Sequence, residues 1–189
     1  MKHFKNFKTC VYCTAQTLAS LDESTLARDY AYLEKYVGID KVYLETYRDG
    51  TWVAIDHMKM IQNFFKKHGV EIAGGITTVT PPLEKDDVKR QRLFQTFCYS
   101  NEAMRTYLKK IVTYTAELFD EIILDDFFFT SCTCDDCLRE RSNLSWAEFR
   151  SKKMIDVAEN LVLKPAKLAN PSVKVTIKYP NWRESYHET

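Results

Sequence analysis

The sequence predicts an α/β fold of the TIM-barrel-like (β/α) type, in which parallel strands form a partial barrel of about five βα units. Apolar, β-branched runs alternate along the chain with segments of helical periodicity. The runs are apolar on both faces, as the strands of a parallel sheet covered by helices require. A complete barrel takes about 250 residues, and this chain has 189. We therefore expect one incomplete barrel-type domain over residues 1–189.

A doubly wound open sheet is the alternative to a barrel for a series of βα units. Its nucleotide-binding forms carry a Gly-x-Gly-x-x-Gly turn after the first strand or a Walker loop. Neither motif occurs in the sequence, which favours the barrel.

The N-terminal half contains three predicted strands and two predicted helices. The first helix has Leu26, Tyr30 and Leu33 on one face, and the second stops at Gly69. In chain order we predict strand 8–14, helix 24–37, strand 41–46, helix 54–68 and strand 71–79, which the Pro81-Pro82 pair ends.

The C-terminal half follows a long polar connection, residues 83–100. Asn101 is placed to cap the next helix, and Ser145 and Glu148 have the spacing of a capping box. We predict helix 102–118, strand 121–127, a loop that contains three cysteines, a helix from Ser145 to about residue 163 with a bend at Pro165, and strand 173–179.

Composition excludes several classes of function. Lys and Arg total 27 and Asp and Glu total 26, so charge gives no reason to expect nucleic acid or an anionic membrane as a partner. No stretch approaches the 18 or so apolar residues of a membrane span, and the N-terminus lacks the apolar core of a signal peptide. Six cysteines are too sparse for a disulfide scaffold, and the cellular compartment stays open.

Carboxylates follow two of the predicted strands. Asp125 and Asp126 end the strand 121–127, and Glu45 lies at the end of the second strand, at the same edge of the sheet. Adjacent strand residues point to opposite faces, so we expect only one Asp to enter the barrel mouth. Separated carboxylates at one face are typical of glycoside hydrolysis. The alternatives are a loop or helix cap for the Asp pair and a salt bridge with Arg48 for Glu45.

Aromatic and basic residues lie just past the predicted strand ends. Tyr47, Arg48, Tyr179 and Trp182 could line a carbohydrate cleft, and we take them as candidate substrate-binding residues. Each of them could equally serve in packing.

Three cysteines, Cys132, Cys134 and Cys137, form a Cys-x-Cys-x-x-Cys cluster. Thiols at this spacing suit a tetrahedral zinc site, which needs a fourth ligand, and Cys98 is the best candidate. Free thiols or a disulfide are the alternative. Cys10 and Cys13 lie inside a strand, and we expect them to be core residues.

The segment from Cys98 to Cys137 resembles barrel glycoside hydrolases of clan A, and in particular the zinc-containing β-galactosidases. Those enzymes carry a strand-four carboxylate followed by Cys-x-Cys-x-x-Cys, and an upstream cysteine completes a structural zinc site. In this comparison Asp126 takes the place of the acid/base Glu and Asp125 the place of the preceding Asn. The resemblance implies that Asp126 donates the proton to the leaving oxygen. The clan's nucleophile comes from strand seven, which five βα units do not include.

Three functional hypotheses follow from the sequence. The leading one is a glycoside hydrolase-like barrel, or a fragment of one, that acts on carbohydrate through Asp126, Asp125 and Glu45 with a structural zinc. The second is a non-catalytic carbohydrate-binding or assembly module with a half-barrel fold. The third is an α/β enzyme in which Asp125, Asp126 and Glu45 hold a catalytic metal ion. A half barrel has open sheet edges, so we also expect self-association.

Overall fold

A single sheet organises the part of the chain that the computed structural model describes, residues 4–79 and 92–178. Five of its strands are parallel and lie in the order β1-β2-β4-β5-β6, and the short β3 pairs antiparallel with β2. The strands are β1 Cys10–Cys13, β2 Lys41–Arg48, β3 Thr51–Trp52, β4 Glu71–Ile76, β5 Glu121–Leu124 and β6 Lys174–Ile177.

Helices connect the parallel strands. They are α1 Ala15–Ser20, α2 Glu23–Tyr36, α3 Ile55–Lys67, α4 Glu102–Leu118, α5 Asp135–Arg141 and α6 Trp146–Val157, which continues through a π-helical segment, Ala158–Leu163, into α7 Lys164–Ala169. A 3₁₀ turn, Leu93–Gln95, precedes α4.

The parallel strands pair in the order in which they occur along the chain, and this confirms the predicted fold class. Such an order is typical of a (β/α) barrel, whose strands follow one another around a cylinder. The sheet is open, with β1 and β6 at its edges. The described residues are therefore consistent with part of a barrel. Self-association through these edges stays a prediction.

Several short elements differ from the prediction. β2 runs on to Arg48 and turns back into β3 through Asp49 and Gly50, whose φ angles of 50° and 78° are those of a tight hairpin turn. β5 ends at Leu124, before the Asp pair, and the predicted cysteine loop contains helix α5. The last long helix continues through Pro165 to Ala169.

Two apolar clusters cover one face of the sheet. Val42 and Leu44 of β2 pack in a cluster with Leu18 and Ile61. Ile122 and Leu124 of β5 belong to a larger cluster formed with α4 and the α6–α7 helix, whose members include Ile76, Leu108 and Val162. Burial of these side chains supplies the main driving force for folding.

The opposite face of the sheet is polar. At its N-terminal end the Lys41 ammonium lies 2.5 Å from a Glu121 carboxylate oxygen, across the intervening strand β4. Cys10, expected in the core, is exposed, while Cys13 is half-buried; the Cys10 prediction is wrong because β1 is an edge strand. None of the helices within residues 4–79 and 92–178 is long and apolar enough to cross a membrane.

Candidate functional site

Glu45 is the centre of a hydrogen-bond network at the carboxyl end of β2, and its side chain is completely buried. One carboxylate oxygen accepts from the Tyr12 hydroxyl at 2.8 Å and from the Thr77 hydroxyl. The other accepts from the Ala15 amide at 2.7 Å and from Arg48 Nε at 2.8 Å. A buried charge is tolerated only when it is paired and hydrogen-bonded in this way.

Gly75 makes room for one of these donors. A Cβ atom at this position would lie 2.6 Å from the Tyr12 hydroxyl oxygen. The absence of a side chain therefore lets Tyr12 lie across β4 and reach Glu45. Burial, and then the neighbouring Glu45 charge, raises the pKa of Tyr12 well above its usual range, so the hydroxyl stays protonated and remains a donor.

Arg48 links the buried carboxylate to the strand-end Asp pair. Its Nε donates to both oxygens of Glu45, and its Nη2 lies 3.2 Å from Asp125 Oδ2. Burial alone would lower the pKa of Arg48, but the hydrogen bond to Glu45 raises it. The Glu45–Arg48 salt bridge that the sequence allowed as an alternative is therefore present, and it extends to Asp125.

Asp125 and Asp126 both face Lys178, which follows β6 directly. Lys178 Nζ lies 3.3 Å from Asp125 Oδ1 and 2.9 Å from Asp126 Oδ1. The hydrogen bond to Asp126 raises the pKa of Lys178. The expectation that the two Asp side chains point to opposite faces is wrong, because β5 ends at Leu124 and the pair lies in the turn beyond it.

The three carboxylates differ in their access to solvent. Glu45 is fully buried, whereas the Asp125 and Asp126 side chains are 16% and 28% exposed. The Lys178 side chain is half-exposed, and the Arg48 side chain is mostly buried. Asp126 is thus the most exposed of the three carboxylates and Glu45 the least.

Tyr47 lies on the other side of the sheet from Glu45. It is completely buried, with its ring 5.3 Å from Trp52 and 5.5 Å from Tyr107. Residues two apart on a regular strand share a face, but the pairing of β2 with β4 shifts between Glu45 and Tyr47. This bulge turns Tyr47 into the helix-covered core, so it takes no part in the site proposed below.

Two more of the candidate substrate-binding residues, Tyr179 and Trp182, lie outside the described residues. Conversely, sequence reasoning missed Tyr12, Thr77 and Lys178. Tyr12 and Lys178 could have been found, because each lies at or next to a predicted strand and the carboxyl ends of parallel strands meet at one edge.

The four cysteines, Cys98, Cys132, Cys134 and Cys137, are brought together as the sequence predicted. All are buried, and their sulfur atoms lie within 4.8 Å of one another. The sulfurs of Cys98 and Cys134 are 3.6 Å apart, and each lies 3.7 Å from that of Cys137. A tetrahedron with metal–sulfur bonds of about 2.3 Å has edges of about 3.8 Å, so Cys98, Cys134 and Cys137 have the spacing of one face of a zinc tetrathiolate, and the Cys132 sulfur lies within 4.8 Å of them.

Local structure places these thiols. Cys98 comes just before α4, Cys134 is the residue that precedes α5, and Cys137 lies in the first turn of that helix. None of the four forms a disulfide bond in the structure. Hydrogen bonds among the thiols lower the pKa of Cys132 and raise the pKa of Cys98 and of Cys137, so Cys132 is the thiol most readily converted to thiolate, the form that binds metal.

A buried arginine lies beside the cluster. Arg150 of α6 is 2% exposed, and its guanidinium carbon lies 4.8 Å from the centre of the Trp146 ring. Burial lowers the pKa of Arg150, and the charges of Cys137 and Cys132 oppose that effect. Its positive charge would partly offset the negative charge of a metal tetrathiolate.

Comparison with known proteins identifies the family of this chain. Residues 1–189 match the model of a family described as "Probable glycosyl hydrolase, catalytic domain". An uncharacterized protein of Saccharolobus solfataricus is 32% identical over 207 aligned positions, which cover 97% of this chain. The chain spans 34% of the length of that relative. Since the family model covers the whole chain, this protein belongs to the probable glycosyl hydrolase catalytic domain family.

Proposed function

We propose that the chain carries the acid/base half of a glycoside hydrolase active site, with carbohydrate as the substrate. The observation that carries this proposal is the partly exposed Asp125–Asp126 pair at the carboxyl end of β5, braced by Lys178 and Arg48. Catalytic groups of barrel enzymes come from this edge of the sheet. Membership of the glycosyl hydrolase family supports the same reaction.

In this proposal the three carboxylates have different tasks. Asp126, the most exposed of them, donates a proton to the glycosidic oxygen as that oxygen leaves. Asp125 accepts hydrogen bonds from sugar hydroxyls while Arg48 holds its other side. Glu45 stays buried, and it orients Arg48 and Tyr12 rather than reacting.

Lys178 is the partner that a substrate would displace from Asp126. Because its side chain is half-exposed, its ammonium can move into solvent when a sugar hydroxyl takes its place, and no buried charge is left alone. Its ammonium also keeps the two neighbouring carboxylates from repelling each other. In the clan A enzymes and zinc β-galactosidases that this chain resembles, the nucleophile comes from another strand. We propose that such a group completes the site in the full-length enzyme.

We further propose that Cys98, Cys132, Cys134 and Cys137 hold a structural zinc ion. Four buried thiols whose sulfur atoms lie within 4.8 Å of one another could fill all four positions of a tetrahedral ion, which would leave none open for water or substrate. Such a site contributes to folding rather than to chemistry. It ties the loop after β5, which begins with the Asp pair, to the segment before α4.

A catalytic metal at the carboxylates is the weaker alternative. Each of the three carboxylates already has a cationic partner, either Arg48 or Lys178. In the described part of the chain, the four cysteines are the group of potential metal ligands that the structure brings together.

The acid/base role is tested in the full-length protein with Asp126→Asn. General acid catalysis contributes about 10²–10⁴-fold to turnover, so we expect a loss of this size on oligosaccharides and alkyl glycosides. Dinitrophenyl glycosides have a leaving group that needs no proton, and on these the loss should be much smaller. Arg28→Met, on the exposed surface of α2, is the control.

Equal turnover of Asp126→Asn and the parent protein on alkyl glycosides would contradict the acid/base role. Oligosaccharide binding without hydrolysis by the parent protein would instead favour the non-catalytic binding module.

A further inference from the structure

An exposed aromatic ring lies at the rim of the carboxylate cluster. The Phe94 side chain is 52% exposed, and its ring packs edge-on against Phe127 with the centroids 5.4 Å apart. Phe127 follows Asp126 in the chain, and the Arg48 guanidinium carbon lies 5.9 Å from its ring centre. One intervening ring therefore joins Phe94 to the charged residues of the site.

The backbone at Phe94 has a strained conformation. Phe94 has φ 52° and ψ 21°, and Gln95 has φ 54°. Residues other than glycine adopt this left-handed region at a cost in free energy, and such strain clusters at binding sites and active sites. The adjacent Leu93 amide donates to the Ser131 hydroxyl at 2.8 Å. The surrounding structure thus fixes the ring where solvent can reach it.

The described neighbours of this ring indicate the chemistry of a ligand. Phe127, which packs against Phe94, lies next to the Arg48 guanidinium, and Arg48 in turn pairs with Asp125. An aromatic face and charged groups are thus close together at this edge of the sheet. A pyranose ring fits, because it presents a face of C–H groups to an aromatic ring and hydroxyls to charged groups.

We propose that Phe94, which packs against Phe127, forms a stacking subsite for one pyranose unit. This unit lies next to the glycosidic bond that Asp126 protonates. This inference rests on the proposed function and adds a specific residue for substrate binding. Phe94 positions the sugar without touching the reacting atoms. The strained backbone is then explained as the means by which the ring is held towards the ligand.

The test measures binding of gluco-, galacto- and xylo-tetraose by calorimetry in the full-length protein carrying Asp126→Asn, which prevents turnover. We expect Phe94→Ala and Phe94→Gly each to weaken binding of the recognised tetraose tenfold or more. Phe94→Trp should retain binding within about threefold, since it keeps an aromatic face. Phe7→Ala is the matched control, since Phe7 is also exposed and stacked on a second Phe but precedes β1, at the other end of the sheet.

Urea unfolding of the same variants measures the backbone strain at Phe94 independently. Phe94→Gly should unfold at a higher urea concentration than Phe94→Ala, because glycine adopts positive φ without penalty. A ring that only served packing would leave tetraose affinity unchanged in both variants, and that result overturns the subsite alone. If the protein with Phe94 intact binds no tetraose, the proposed function and the subsite fail together.

Discussion

The loop from Asp125 to Cys137 contributes to two regions in which polar side chains have opposite surroundings. At its start, carboxylates that differ in solvent exposure share two cations, and these ion pairs are partly open to solvent. At its end, equivalent thiols are closed within an apolar cluster that includes Phe97, Phe128 and Phe149. One loop therefore contributes neighbouring residues both to the proposed catalytic edge and to the proposed structural metal site.

The largest effect on stability should come from disrupting the cluster of four cysteines. We expect Cys134→Ser, or removal of metal with a strong chelator, to abolish cooperative folding or to lower the free energy of unfolding by several kcal/mol. Structural zinc binding contributes about 10–16 kcal/mol in small peptides, and the four thiols lie inside the larger apolar cluster. Metal content by mass spectrometry and urea unfolding followed by circular dichroism are the measurements.

Cys10→Ser is the control for that experiment, because Cys10 is exposed and lies on the edge strand β1. A purified protein without stoichiometric metal, and with the same unfolding midpoint in Cys134→Ser, would contradict the zinc proposal.

A smaller but still large effect is expected from the buried part of the carboxylate region. Glu45→Gln removes the charge opposite Arg48 and should cost about 3–5 kcal/mol of unfolding free energy, since it leaves a buried cation with less compensation. The matched control is Glu71→Gln, which breaks an ion pair with Lys8 on the exposed surface.

The Glu45 prediction is measured by urea unfolding of both variants. The Glu71 variant should stay within about 0.5 kcal/mol of the parent protein. If the two substitutions have the same small effect, the Glu45 network does not hold the site together.

The smallest effect is expected at the rim of the cysteine region. Glu140 of α5 lies 2.5 Å from Lys153 Nζ and accepts from the Ser100 hydroxyl. Burial alone would raise the pKa of Glu140, but the hydrogen bonds from Lys153 and Ser100 lower it below its usual 4.5. A lowered pKa means stability that is present above pH 4.5 and is lost as the pH falls further.

Glu140→Gln should therefore destabilise the protein by less than about 1 kcal/mol at pH 7, since the side chain is 43% exposed. The difference from the parent protein should shrink below pH 4.5, which urea midpoints between pH 7 and 3.5 would show. A difference that stays constant over this range would mean that packing, and not charge, accounts for it.

Sequence patterns predicted the long elements better than the short ones. Helix α4, Glu102–Leu118, was predicted with the observed bounds, because Asn101 caps it and its apolar residues recur at helical spacing. Helices α1 and α5 and strand β3 were missed. Short elements of this kind depend on tertiary contacts more than on their own residue preferences.

The two halves of the site were predictable to different degrees. Cys132, Cys134 and Cys137 followed from their spacing, since metal-ligand chemistry constrains residue type and separation, and Cys98 followed from its position in the connection before α4. The orientation of Asp126 and Tyr47 did not, because it depends on where β5 ends and on a bulge in β2. Both are properties of strand pairing, and a one-residue change in register reverses the face of a side chain.

Gly75 and Tyr12 have a consequence for how this site can change during evolution. The space that a side chain at position 75 would occupy is filled by the Tyr12 hydroxyl, and that hydroxyl is one of the donors to Glu45. A substitution at either position therefore changes which side chains can be accommodated at the other. Relatives that carry a larger residue at position 75 should have a smaller one at position 12 and a different donor for the buried carboxylate, so the two positions should covary.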